Sequence, residues 1–145
     1  MIRWALRNLP RPWLIRLSYL VQWVAPVLWA GKRFTDPIDG RSYRRFLPYG
    51  YGNQIRENAL APGTNSLERH RLLWLYLQRF TNFFERPQHV LHIAPEQCFH
   101  GRFKRLSNLT VLTGDIESPL ADLHFDLHHI PLEDNRFDVA FCNHV

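Results

Sequence analysis

His89-Val-Leu-His-Ile-Ala94-Pro-Glu96-Gln-Cys-Phe-His-Gly-Arg-Phe103-Lys-Arg-Leu106-Ser-Asn-Leu109-Thr-Val-Leu-Thr113-Gly-Asp115 changes its hydrophobic period twice within 27 residues. His89 to Ala94 is a short apolar run of the buried-strand type. Gln97 to Leu106 aligns Phe99, Phe103 and Leu106 on one helical face, and Leu109 to Thr113 is a second apolar run closed by Gly114 and Asp115. Strand, helix and strand in this order predict an α/β fold with a parallel sheet of the nucleotide-binding kind. Leu123 to Phe125 and Phe137 to Cys142 predict two further strands. In such sheets ligands sit beyond the carboxyl ends of the strands.

Asp115 follows Ala94 by 21 residues, close to the interval of about 20 at which dinucleotide-type folds place a carboxylate for the ribose. One carboxylate there accepts from both hydroxyls of a vicinal diol. An acid at a strand end also serves simply to cap the next turn, so this spacing leaves both roles open.

Downstream the chain reads Asp115-Ile-Glu-Ser-Pro-Leu-Ala-Asp-Leu-His-Phe-Asp126-Leu-His-His-Ile-Pro-Leu-Glu-Asp-Asn-Arg-Phe-Asp138-Val-Ala-Phe-Cys-Asn-His144-Val. In this order the residues resemble the class I S-adenosylmethionine-dependent methyltransferases, in particular the type 11-like branch, whose sheet is Rossmann-like. The resemblance implies S-adenosyl-L-methionine as cofactor. It implies that Asp115 with Ile116 holds the ribose and that Asp126 with Leu127 lies beside the adenine. Ile130-Pro131-Leu132 and Phe137-Asp138 match the framework, and Asn143-His144 reaches the methyl-donor site. His144 is the single catalytic candidate, as a proton acceptor, although methyl transfer needs chiefly an aligned nucleophile. The first motif departs from the common pattern. His92-Ile-Ala94-Pro95-Glu96 stands where most members carry an acidic residue and Gly-x-Gly, so His92, Ala94, Pro95 and Glu96 are the cofactor-binding candidates there. Small Ala94 and Pro95 leave room for backbone approach, and Glu96 suits the ammonium group of the methionine moiety.

A second resemblance covers residues 32–65. Phe46-Leu-Pro-Tyr-Gly50, followed by Ser66-Leu-Glu-Arg-His70, is similar to a subgroup that carries a small zinc-ribbon-like module ahead of the methyltransferase domain. The positions of its metal ligands hold Asp36, Asp39, Ala61 and Thr64. Ala has no donor atom and a neutral Thr hydroxyl is a poor one. The expectation is a turn-rich module that keeps its turn geometry, holds no metal and is packed by Tyr43, Phe46, Tyr49 and Tyr51, against one another or onto the helix. Asp36-Pro-Ile-Asp-Gly40 is a turn by composition, and Tyr43 to Phe46 is a short strand.

Residues 66–86 predict a helix. Asn65 and Glu68 stand at capping-box spacing, Leu73, Leu77, Phe80 and Phe84 share one face, and Pro87 ends it. Ahead of the module, residues 1–31 form a basic, Trp-rich arm with a helical segment over 13–31. Only the 15 residues 17–31 are free of charge, short of the roughly 20 that a transmembrane helix needs. Bulky Leu28 and Trp29 stand where a signal peptide would have small residues. The favoured reading is a helix that lies on a membrane surface or packs on the protein.

The chain of 145 residues carries a net charge of +5, yet the excess is confined to its start. Residues 1–57 hold ten basic and three acidic side chains, and residues 58–145 hold eight and ten. No nucleic-acid-binding motif accompanies the basic segment, so nucleic acid is not an expected partner. Cys98 and Cys142, in two apolar stretches, match neither a metal pair nor a disulfide framework; both are expected as buried hydrophobes in a reducing, cytoplasmic compartment, with membrane association left to the arm. The remaining histidines, His89, His124, His128 and His129 among them, read as hydrogen-bonded loop or core residues. The domain organisation is thus 1–31 arm, 32–65 module and 66–145 the N-terminal half of a methyltransferase domain, truncated after the fourth strand at Val145. The resemblance covers residues 36–145. It implies a methyltransferase, incomplete as given, acting on an unidentified acceptor and prone to self-association through an exposed sheet edge. The alternative is a non-catalytic, membrane-peripheral or partner-binding remnant of such an enzyme.

Overall fold

The structure, a computed structural model, describes residues 10–50 and 52–143. The chain divides into two compact units, Met1–Leu75 and Tyr76–Val145.

The first unit opens with helix α1 (Arg11–Leu28), which has proline in its first turn, where a missing N–H costs nothing. Pro26 lies inside its last turns, and the Trp29 N–H closes the helix on the Ala25 carbonyl. Among the described residues no helix is long and apolar enough to cross a membrane. Two small antiparallel hairpins follow. Strand β1 (Ala30–Thr35) pairs with β2 (Ser42–Tyr43), and β3 (Leu47–Tyr49) pairs with β4 (Arg56–Leu60). Tyr43, Phe46 and Ala61 form the core, with Trp29 and Phe34 packed against it. Of the aromatic residues expected to pack this module, Tyr43 and Phe46 do so, 5.9 Å apart edge to face, whereas half-buried Tyr49 lies in β3 outside that cluster. Tyr51 lies outside the described residues. The strand expected over Tyr43 to Phe46 is shorter, because Phe46 leaves β2 and its N–H bonds to Asn58 Oδ1 at 3.2 Å.

Two loops of this unit share one backbone pattern. Asp36 N–H donates to the Arg41 carbonyl and Gly40 N–H to that of Asp36; in the same spacing, Ala61 N–H donates to the Ser66 carbonyl and Asn65 N–H to that of Ala61. Each loop passes through the left-handed region, at Gly40 with φ 70° and at Asn65 with φ 57°. The loops touch at Gly63, where a Cβ would stand 2.0 Å from the Tyr43 hydroxyl and 2.8 Å from Asp39 Oδ2. Only glycine permits that approach.

Helix α2 (Glu68–Phe80) is shorter at both ends than residues 66–86. At its start the expected Asn65–Glu68 box does not form, because Asn65 is left-handed; instead the Leu67 N–H bonds to His70 Nδ1 at 3.0 Å. At its end Thr81 Oγ1 donates to the Leu77 carbonyl and accepts from the Phe83 N–H, turning the chain before Pro87 is reached. The buried face is also different. Leu67, His70, Trp74 and Leu77 are inward, while Phe80 is 75% exposed.

In the second unit, β5 (Gln88–Ile93), β6 (Leu109–Asp115), β7 (Leu123–His124) and β8 (Val139–Cys142) make a four-stranded parallel sheet in the order β7-β6-β5-β8, and α3 (Gln97–Phe103) follows β5. The protein is therefore mixed α/β. Asp138 precedes β8 rather than belonging to it. Its carboxylate accepts the His89 N–H at 2.7 Å and its own N–H reaches the His89 carbonyl, which sets β8 in register beside β5. Asp122 does the same for β7: its carboxylate takes the Thr113 N–H at 3.0 Å and Lys104 Nζ at 2.6 Å. An aromatic cluster packs one face. Phe103 stacks on Phe99 at 5.1 Å and on Phe141 at 5.5 Å, and meets Phe83 at 5.1 Å. Cys98 is buried as expected, but Cys142 is exposed, because β8 alternates and Phe141 takes the inward position.

Candidate functional site

Every residue that opens the site lies where a parallel strand ends, because there the backbone N–H and C=O groups leave the ladder and the chain must turn. Ile93 and Ala94 end β5, Asp115 and Ile116 end β6, and Phe125, Asp126, Leu127 and His128 follow β7. These eight residues line a cavity of about 220 Å³. Phe125 forms one wall because Gly114 has no side chain: a Cβ there would stand 2.4 Å from the phenyl ring.

Asp115 caps the turn after β6 and lines the cavity. Its Oδ1 accepts the N–H groups of Glu117 and Ser118, each at 2.8 Å, which locks the turn after β6. Among the described residues nothing hydrogen-bonds to Oδ2, so one oxygen of an oriented carboxylate remains at the cavity. Asp126 is exposed and held in its own turn. The His128 N–H at 2.9 Å and then its Nδ1 at 2.6 Å hold the Asp126 carboxyl below its ordinary value, so it stays ionised. The cavity thus combines apolar walls with two carboxylates. It suits a flat apolar group bearing hydroxyl donors, and it repels a phosphate.

A second cluster stands where β5 and β8 end. His92 is fully buried, its ring among Phe99, Phe103 and Phe141, and its Nε2 lies 2.5 Å from Glu96 Oε2. Asn143 Nδ2 donates to Glu96 Oε1 at 3.1 Å. Burial pushes the Glu96 carboxyl up, but the hydrogen bond and charge of His92 and the Asn143 amide outweigh it, and the carboxyl sits below its ordinary value. Glu96 is therefore held as an anion, with Oε2 facing His92 and Oε1 taking the Asn143 amide.

Of the residues expected from sequence, Ala94, Asp115, Ile116, Asp126 and Leu127 come together in the cavity, and His92, Glu96 and Asn143 come together in the second cluster. His92 was expected beside the cofactor; it lies buried behind Glu96 and acts on that carboxylate instead. Pro95 is buried and lines no part of the cavity. His144 lies outside the described residues. Phe125, His128 and Ile93 complete the cavity without having been singled out for it; the signal for Phe125 is the glycine at position 114, a gap that an aromatic residue covers.

Ala94 takes a glycine-like conformation, φ 46°. A left-handed alanine costs about 1–2 kcal/mol, and glycine's greater freedom when unfolded returns about 0.5–1 kcal/mol of that. Ala94→Gly is therefore expected to raise the stability of the second unit by about 0.5 kcal/mol, read as a higher urea midpoint by circular dichroism. A lower midpoint would mean that the Ala94 methyl contributes packing larger than the strain.

In the first unit the positions Asp36, Asp39, Ala61 and Thr64 do converge. Buried Asp36 accepts from the Ile38 N–H at 3.0 Å, the Thr64 hydroxyl at 2.5 Å and the Ser66 hydroxyl at 3.2 Å. Asp39 accepts from the Arg41 N–H at 2.9 Å and the Tyr43 hydroxyl at 2.7 Å. Burial, then the bond to Asp39, push the Tyr43 phenol far above its ordinary value, so it remains a donor. Among the described residues no three His, Cys, Asp or Glu side chains are arranged to hold a metal ion.

No protein-family model matches the chain, and searches among curated proteins and among solved structures return no match.

Proposed function

We propose that the second unit binds S-adenosyl-L-methionine and is the cofactor-holding part of a Rossmann-like class I methyltransferase. The observation that carries this reading is the cavity at the carboxyl ends of β5 and β6. Five residues that the sequence resemblance names, Ala94, Asp115, Ile116, Asp126 and Leu127, meet there. The chain's own groups fit the cofactor. Asp115 Oδ2 is available to the ribose diol, Ile116, Phe125 and Leu127 offer apolar surface to the adenine, and ionised Glu96 offers charge to the methionine ammonium. The bound cofactor supplies an electrophilic methyl group on a sulfonium. The residues of this chain bind and orient it, and His92 and Asn143 keep the Glu96 carboxylate in place.

Calorimetric titration of the full chain with S-adenosylmethionine and S-adenosylhomocysteine tests the reading. Asp115→Asn keeps the Oδ1 acceptor that locks the turn and replaces the free oxygen by an amide. It is expected to weaken binding about 100-fold, the worth of two charge-assisted bonds at roughly 1.5 kcal/mol each. Asp115→Ala is expected to abolish measurable binding. A wild-type chain that binds neither compound, or an Asp115→Asn chain that binds both as tightly as wild type, refutes the proposal.

A further inference from the structure

Helix α1 of the first unit wears its apolar side outward. Trp13, Leu17, Leu20, Trp23 and Val27 recur at intervals of four, three, three and four residues, which keeps them on one side of a helix. All five are exposed, Trp13 at 60%, Trp23 at 78% and Val27 at 80%. The opposite side carries Ala25, fully buried, with Leu14, Ile15, Ser18, Val21 and Gln22 partly so. The helix is therefore apolar on both sides, and the outward side departs from the usual arrangement in which polar groups face water. A contiguous apolar stripe of this kind marks a docking surface rather than scattered exposure.

Charge and side-chain type decide the occupant. The first 35 residues contain six basic side chains, Arg3, Arg7, Arg11, Arg16, Lys32 and Arg33, and no acidic one. Arg16, beside the stripe, holds its guanidinium 5.7 Å from the centre of the Trp13 ring. A tryptophan with a long cationic side chain against it suits the headgroup level of a bilayer, where rings sit at the boundary and charged tips reach outward. A protein groove that accepted this face would have to match both a wide apolar stripe and positive charge on either side of it with no acid between; an anionic membrane offers an apolar interior and negative headgroups over its whole surface.

We propose that α1 docks the protein in the plane of an anionic lipid surface, with Trp13, Leu17, Leu20, Trp23 and Val27 inserted and Arg16, Lys32 and Arg33 against the headgroups. The helix lies on the bilayer and does not span it.

The test is flotation of the full chain with vesicles of phosphatidylcholine alone and of phosphatidylcholine mixed with phosphatidylglycerol, at low and high salt. The expected result is flotation with the anionic vesicles, weakened by salt. Partition is expected to drop roughly tenfold or more in Trp13→Ala/Trp23→Ala and to fall again in Lys32→Glu/Arg33→Glu. Val27→Ser is an independent second variant, and because these side chains are exposed, an unchanged far-UV spectrum is expected for all. Absence of flotation with anionic vesicles overturns the proposal, as does equal flotation with pure phosphatidylcholine or full flotation of the double-Trp variant. A chain that sediments as a dimer, becomes a monomer on Trp13→Ala/Trp23→Ala and floats with neither vesicle assigns the face to a second copy and also overturns it.

Discussion

Phe103→Ala is expected to lower the stability of the second unit by about 3–5 kcal/mol, the range for removing a fully buried aromatic side chain. Phe103 has no solvent exposure. It is the hub at which α3, the turn after α2 and strand β8 meet, through Phe99 at 5.1 Å, Phe83 at 5.1 Å and Phe141 at 5.5 Å. The His92 ring lies 5.9 Å away. Truncation would leave a void lined by four rings that are tied to different elements and so unable to close it, and that residual cavity is what makes such losses large. Amide exchange of β5 and β6 reads the effect directly. Their protection is expected to collapse, and Glu96 to lose the support of His92 with it. A loss below about 1 kcal/mol would mean that the cluster is not a single packed body.

In the first unit, Asp36→Ala is expected to cost about 2–4 kcal/mol, because it strands buried donors. The Thr64 and Ser66 hydroxyls and the Ile38 N–H all point to this carboxylate, and Asp36, Thr64 and Ser66 are fully buried. The bond from Thr64 spans 28 residues of sequence and ties the two matching loops together. Among the described residues all four tryptophans, Trp13, Trp23, Trp29 and Trp74, lie in this unit, so tryptophan emission reports on it. The urea midpoint by emission should fall. Thr64→Val, which removes the hydroxyl at constant shape, should lose less in the Asp36→Ala background than in wild type, since the two groups share one interaction. Additive losses would show that the bond between them contributes nothing.

How much was legible in advance varies with how local the determining interaction is. Strands β5 and β6 and the helix between them were readable because a strand or helix advertises its period over a few residues. Their carboxyl ends bring Ala94, Asp115 and Ile116 to one cavity, since the open end of a parallel sheet follows from chain direction. The turn at Asp36 to Gly40 was readable from Pro and Gly. Helix α2 departs from its sequence period at both ends and on its buried face. Phe80 and Phe84 continue the apolar period, yet the Thr81 side chain competes for the Leu77 carbonyl and breaks the helix, so that Phe83 turns inward to meet Phe103 and Phe141. Strands β1, β3 and β4 left no alternation strong enough to see. Their pairing depends on partners rather than on their own pattern.

By itself the sequence determined that the second unit would be a parallel α/β layer with carboxylates at its strand ends, and that the first would be a turn-rich module behind a basic, tryptophan-bearing helix. Those properties are written in neighbouring residues. The tertiary structure alone decided that His92 lies behind Glu96, that Asn143 reaches Glu96 across 47 residues, that Phe125 covers Gly114, and that the apolar stripe of α1 faces outward. Each of these depends on which distant groups share a buried volume. Closing the chain settles that, and no period within a single element encodes it.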